Sequence, residues 1–124
     1  MIEQNVILRG GPLLSKTWVL NNIFEFSEFR GLQEKIIDQI ISGGDSLVLM
    51  PTGFGKSLCY QLPAIIREGL TLVISPLLSL MKDQVDSLNA KNIPACTLNS
   101  TQSKHESALI IEQIKNNECK ILFV

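Results

Sequence analysis

A chain of 124 residues with 45% apolar and 19% charged residues is long enough to bury one core and too apolar to be intrinsically disordered. Eleven Lys and Arg against twelve Asp and Glu leave a net charge of −1, which excludes a global basic field for nucleic acid. Any nucleic-acid contact must be local, through backbone amides and a few side chains.

In chain order, residues 1–16 are weakly patterned and broken by Gly10-Gly11-Pro12, and read as a leader. Thr17–Phe24 is a short helix candidate. Leu32, Ile36, Ile37, Ile40 and Ile41 share one helical face, and Gly43-Gly44 ends the pattern. Ser46–Met50 is a short apolar run, predicted as a buried strand, and Pro51–Gly55 is a glycine-rich turn. Lys56–Glu68 has helical period, with Pro63 expected to loosen it. Leu70–Ser75 is a second strand and Leu77–Asn89 a helix. Ala95–Leu98 is a third strand, Ser103–Glu106 a capping box opening a helix to about Asn116, and Lys120–Val124 a fourth strand. Alternating strands and helices predict an α/β fold with a parallel sheet of about four strands flanked by helices. Ligands of such sheets bind beyond the carboxyl ends of the strands, which points to Pro51–Lys56, Pro76–Ser79 and Asn99–Thr101.

Met50-Pro-Thr-Gly-Phe-Gly-Lys-Ser57 lies between a predicted strand and a predicted helix. That is the context of a phosphate-binding loop. Gly53 and Gly55 tolerate unusual dihedrals and let backbone amides approach a phosphate, backed by the positive end of the helix. Lys56 can reach the β and γ phosphates of ATP, and Ser57 can place its hydroxyl on Mg²⁺. The strict eight-residue motif begins with Gly, where this chain has Met50.

Met50–Pro63 resembles motif I of the RecQ-type DNA helicases, whose motor is built from two RecA-like lobes. Three further segments resemble that family's motifs in its order: Phe24–Gln33 the adenine-recognising motif, Ser75–Gln84 motif Ia, and Leu98–Thr101 motif Ib. The resemblance covers about Trp18 to Val124. It implies an incomplete RecA-like ATP-binding domain over residues 17–124, from a 3′-to-5′ helicase acting in DNA unwinding, recombination and repair.

Residue by residue, the resemblance implies that Phe26 stacks on adenine, Gln33 reads the adenine edge and Arg30 supports base or phosphates. Thr52, Gly53, Phe54, Gly55, Lys56 and Ser57 would hold the phosphates, with Lys56 as the catalytic cation and Ser57 on the metal. Ser75, Ser79, Lys82, Asn99, Ser100 and Thr101 would contact the phosphates of single-stranded or partly duplex DNA. From spacing alone, Phe24, Phe26 and Phe29 also read as core aromatics, Arg30 as a surface charge and the Ser, Thr and Asn positions as loop and cap residues. Glu25 stands where the family typically has Gly, and Gly31-Leu32 where it has Pro-Gly. Other readings are a stand-alone nucleotide-binding module and another P-loop enzyme such as a small-molecule kinase. The kinase reading leaves Phe26, Gln33 and Ser75–Gln84 without a role.

No DExH or DEAD sequence occurs among the 124 residues. The chain by itself is therefore expected neither to hydrolyse ATP nor to unwind DNA, the remainder of a helicase being the partner it would need. The apolar Lys120–Val124 strand is expected to promote self-association. The odd count of three cysteines, with no CxxC spacing and one His, argues for buried thiols in a reducing cytoplasm rather than disulfides or structural zinc. Leu70–Met81, the longest apolar stretch, is too short and too interrupted to span a membrane. No basic segment followed by an apolar run marks a signal peptide, so the expected location is cytoplasmic, nucleoid-associated in a bacterium.

Overall fold

The computed structural model describes residues 14–51, 53 and 55–124. These divide into two compact units, one ending at Arg67 and one beginning at Glu68. Of the leader expected over residues 1–16, residues 1–13 lie outside the described part.

Among its described residues the first unit holds three helices: α1 (Lys16–Asn22), α2 (Gln33–Ile41) and α3 (Lys56–Ile66). The Ser15 hydroxyl accepts from Trp18 N–H and caps α1. Both α1 and α2 pack on α3, and Val19, Leu20, Ile37, Leu58, Leu62 and Ile65 are buried. Lys16 ties α1 to α2, its Nζ lying 2.6 Å from Asp38 Oδ1 and 3.0 Å from Glu34 Oε2. Pro63 sits inside α3, and the helix continues to Ile66.

The second unit is a parallel three-stranded sheet, β1 (Thr71–Val73), β2 (Ala95–Thr97) and β3 (Ile121–Phe123), in the order β1-β3-β2. Thr71, Leu72 and Val73 pair with Ile121, Leu122 and Phe123, which pair on the other side with Ala95, Cys96 and Thr97. The central strand β3 is buried throughout, as expected for a parallel strand covered on both faces. Helix α4 (Leu78–Ala90) packs on β2. From α5 (Lys104–Lys115), Ile110 and Ile114 cover the cluster of Cys96, Cys119 and Leu122. The Ser103 hydroxyl caps α5 by accepting from Glu106 N–H at 3.1 Å, as the capping box predicts.

The strand expected at Ser46–Met50 is not part of this sheet. An apolar run becomes a strand only when a neighbour supplies ladder partners. None does so here among the described residues, and Leu47 and Leu49 are 91% and 89% exposed. Among the described residues the sheet therefore has three strands where four were expected. Of the three loops expected at a carboxyl rim, two follow β1 and β2 directly, and the described residues of Pro51–Lys56 belong to the first unit. All three cysteines are buried, as expected, and stand as free thiols.

Helices α2, α4 and α5 end in the same motif. In each, the second residue past the cap donates back to a carbonyl one turn up: Gly44 to Gln39, Ile93 to Leu88 and Glu118 to Gln113. The residue before it is left-handed: Gly43, Asn92 and Asn117. Gly and Asn are the residues that accept this geometry at low cost.

Among the described residues Glu25 is the remaining non-glycine residue in the left-handed region, with φ of 60°. It turns the chain out of α1 so that Phe26 N–H reaches the Leu20 carbonyl at 3.1 Å. A left-handed conformation costs a residue with a Cβ roughly 1–2 kcal/mol, while glycine adds unfolded-state entropy of roughly 0.4–1 kcal/mol. Glu25→Gly is therefore expected to stabilise the protein by about 0.5–1 kcal/mol in urea denaturation. A loss of stability would show that the Glu25 side chain contributes more than its backbone strain costs.

Candidate functional site

The sequence-predicted nucleotide residues lie in the first unit, on the segment leading into α2 and the loop leading into α3. Gly53 and Gly55 have φ of 85° and 77°, so both glycines occupy dihedrals that other residues adopt only under strain. The two are not equivalent. A Cβ on Gly53 would meet open space, whereas one on Gly55 would collide with the Gln33 amide. Gly55 is the N-cap of α3 and offers no side chain to its first turn. A helix start of this kind, with the positive end of its dipole facing the loop, is where a nucleotide phosphate binds. Thr52 and Phe54, also expected to bind phosphate, lie outside the described residues.

Lys56 is the first residue of α3 and is exposed. It lines a cavity of about 240 Å³ with Ile40, Ser46, Val48, Cys59 and Tyr60. Burial raises the pKa of the Cys59 thiol and of the Tyr60 hydroxyl, so both groups are held neutral at physiological pH. Ser57 follows in the first turn of α3 and is half-buried.

Gln33 and Arg30 reach this loop from 22 and 23 residues upstream. Gln33 is 3% exposed. Its Oε1 accepts from Arg30 N–H at 2.8 Å and its Nε2 donates to the Gly55 carbonyl at 3.2 Å. A backbone N–H can only donate and a carbonyl only accept, so the amide orientation is fixed from both ends. Each amide atom has one further bonding position. Arg30 Nη2 donates to the Gly53 carbonyl at 3.4 Å. Phe26 is 54% exposed, whereas Phe24 is buried at 7%. This separates the aromatic expected to stack from one expected to pack.

The sequence-predicted nucleic-acid residues lie in the second unit. Ser75 follows β1, and its hydroxyl accepts from Leu77 N–H at 3.4 Å. Ser79 and Lys82 are on the first turns of α4, both exposed, with Lys82 Nζ 2.7 Å from Asp86 Oδ2. Asn99, Ser100 and Thr101 follow β2. The sheet order sets these two loops on either side of β3, at the same carboxyl edge.

Two features escaped sequence reading. Gln102 bonds the Asn99–Thr101 loop at 3.1 Å to Asn99 N–H and at 2.8 Å to the Thr97 carbonyl. The signal was a glutamine three residues after the loop residue it serves, the spacing by which Gln33 serves Arg30. The left-handed turn at Glu25 was signalled only by the family's glycine. Among the described residues there is no group of three or more His, Cys, Asp or Glu able to hold a metal, and no helix is long and apolar enough to cross a membrane.

Residues 30–124 match the DEAD/DEAH box helicase family. Over 106 residues, 86% of the chain, it is 53% identical to the ATP-dependent DNA helicase RecQ of Pasteurella multocida, covering 17% of that protein. It is 48% identical over 120 residues to the RecQ helicase of Haemophilus influenzae, covering 91% of the chain and 19% of the relative. It is 46% identical over 125 residues to the ATP-dependent DNA helicase hus2/rqh1 of Schizosaccharomyces pombe, covering 91% of the chain and 9% of the relative. The chain thus spans less than a fifth of the length of these relatives.

Proposed function

We propose a function from one premise: the chain belongs to the DEAD/DEAH box helicase family, in its RecQ-type branch. It is the ATP-binding part of a 3′-to-5′ DNA helicase that serves DNA unwinding, recombination and repair, in the cytoplasm or on the nucleoid of a bacterium. The observation that carries this reading is the pair of side chains, Gln33 and Arg30, bonded to the Gly55 and Gly53 carbonyls of the phosphate loop. An adenine-reading segment and a phosphate cradle are useful together only if one nucleotide spans both.

Phe26 offers its exposed ring to the adenine face. Gln33 pairs with the adenine edge through the second donor and second lone pair of its amide. Backbone amides of the loop at Thr52, Gly53, Phe54 and Gly55 and of the first turn of α3 surround the phosphates. Lys56 neutralises the β and γ phosphates. The Ser57 hydroxyl is the protein's ligand to Mg²⁺, which when bound supplies further neutralisation of phosphate charge. Single-stranded or partly duplex DNA runs over the segments that carry Ser75, Ser79 and Lys82 and Asn99, Ser100 and Thr101, with Lys82 exchanging Asp86 for a phosphate.

Competitive titration of the purified chain with ATP and GTP, each with Mg²⁺, tests the nucleotide reading. ATP is expected to bind at least fivefold more tightly, about 1 kcal/mol. Equal affinity for GTP would remove the adenine-recognition reading.

A further inference from the structure

The loop after β2 is held by its own side chains. The Gln102 amide has its orientation fixed from both ends, since Asn99 N–H can only donate to it and the Thr97 carbonyl can only accept from it. Asn99 Oδ1 in turn accepts from Thr101 N–H at 2.9 Å and from the Thr101 hydroxyl. Asn99 Oδ1 carries no hydrogen, so the single hydroxyl proton of Thr101 is spent inside the loop. The side-chain groups left to donate outward are Asn99 Nδ2 and the hydroxyl of exposed Ser100.

We infer that Gln102 and Thr101 are positioning residues that preset the Asn99–Ser100 pair as hydrogen-bond donors for one phosphate of a single DNA strand, with Thr101 itself not touching it. This rests on the reading of this loop as part of the DNA track and goes beyond it, dividing the loop into residues that contact the phosphate and residues that hold the contacts in place. Neutral donors suit this place. A phosphate of any sequence can be bound and released as the strand moves, and a loop already bonded to itself has little ordering entropy left to lose on binding.

The test is titration of the ¹⁵N-labelled full chain with an oligothymidylate, following backbone amide shifts. The wild type is expected to show saturable shifts at Asn99 and Ser100, and inorganic phosphate at matched concentration is expected to leave them unsaturated. Gln102→Met, of similar length without donor or acceptor, and Thr101→Val, without the hydroxyl, are each expected to raise Kd about fivefold, a lost hydrogen bond's worth of preorganisation. Thr101→Ser, which keeps the hydroxyl, is expected to stay within about twofold of wild type. Wild-type affinity in Gln102→Met and Thr101→Val beside weakened binding in Ser100→Ala would overturn the positioning role and leave the DNA track standing. A Thr101→Ser variant as weak as Thr101→Val would overturn the assignment to the hydroxyl. No saturable shift in the wild type, shifts that every variant leaves alone, or equal saturation by inorganic phosphate would overturn the DNA track and the inference together.

Discussion

Lys56→Ala is expected to weaken ATP binding at least tenfold, about 1.4 kcal/mol, with little change in stability. Lys56 opens α3 directly after left-handed Gly55, at a helix start that has no side-chain cap. A cation there adds its charge to the helix amides, and both act on the same phosphates. The side chain is exposed, so its removal leaves no cavity and no buried partner, and the unfolding free energy should stay within about 0.5 kcal/mol of wild type. Calorimetric titration with ATP and Mg²⁺, beside thermal melts of both proteins, separates binding from folding. Equal affinities in two folded proteins would remove the phosphate-loop assignment.

Gln33→Ala is expected to cost both stability and selectivity. The wild-type amide is buried and bonded to Arg30 N–H and the Gly55 carbonyl. Its loss leaves a donor and an acceptor without these partners, at roughly 1–3 kcal/mol for an unsatisfied buried group. The melting temperature should fall by about 4 °C or more, and the preference for ATP over GTP should disappear. Gln33→Glu divides the two bonds. A carboxylate still accepts from Arg30 N–H but sets an oxygen against the Gly55 carbonyl, so it is expected to lower the melting temperature as well as weaken nucleotide binding. Retained ATP preference in Gln33→Ala would exclude Gln33 as the adenine-reading residue.

Much of this protein is local in origin and could be read from the chain. Gly43 ends α2 because a left-handed residue follows the helix. Ser103 opens α5 because its hydroxyl takes Glu106 N–H. The 3.6-residue period of Ile36, Ile37 and Ile40 and the glycine spacing around Lys56 are equally local. So is the order of the four motif segments. Each depends on residues within one or two turns, and the sequence lists those residues side by side.

What depended on distant partners was not legible. Ser46–Met50 has the composition of a strand, but composition carries no ladder. Pairing needs a neighbour with free donors and acceptors, and β1, β2 and β3 find theirs in one another. Gln33 read from the resemblance is an amide that pairs with the adenine edge, with nothing to say that its atoms have other partners. Folding spends one bonding position of each atom on Arg30 and Gly55. Gln102 looks like an unremarkable residue after a loop until its two bonds to Asn99 and Thr97 are seen. Most elements, their ends and the motifs they carry are legible along the chain, because propensities, caps and periodicity act over a few residues. Which strands pair and which polar atoms are already engaged depends on the folded chain, because a hydrogen bond is settled by a partner's position in space.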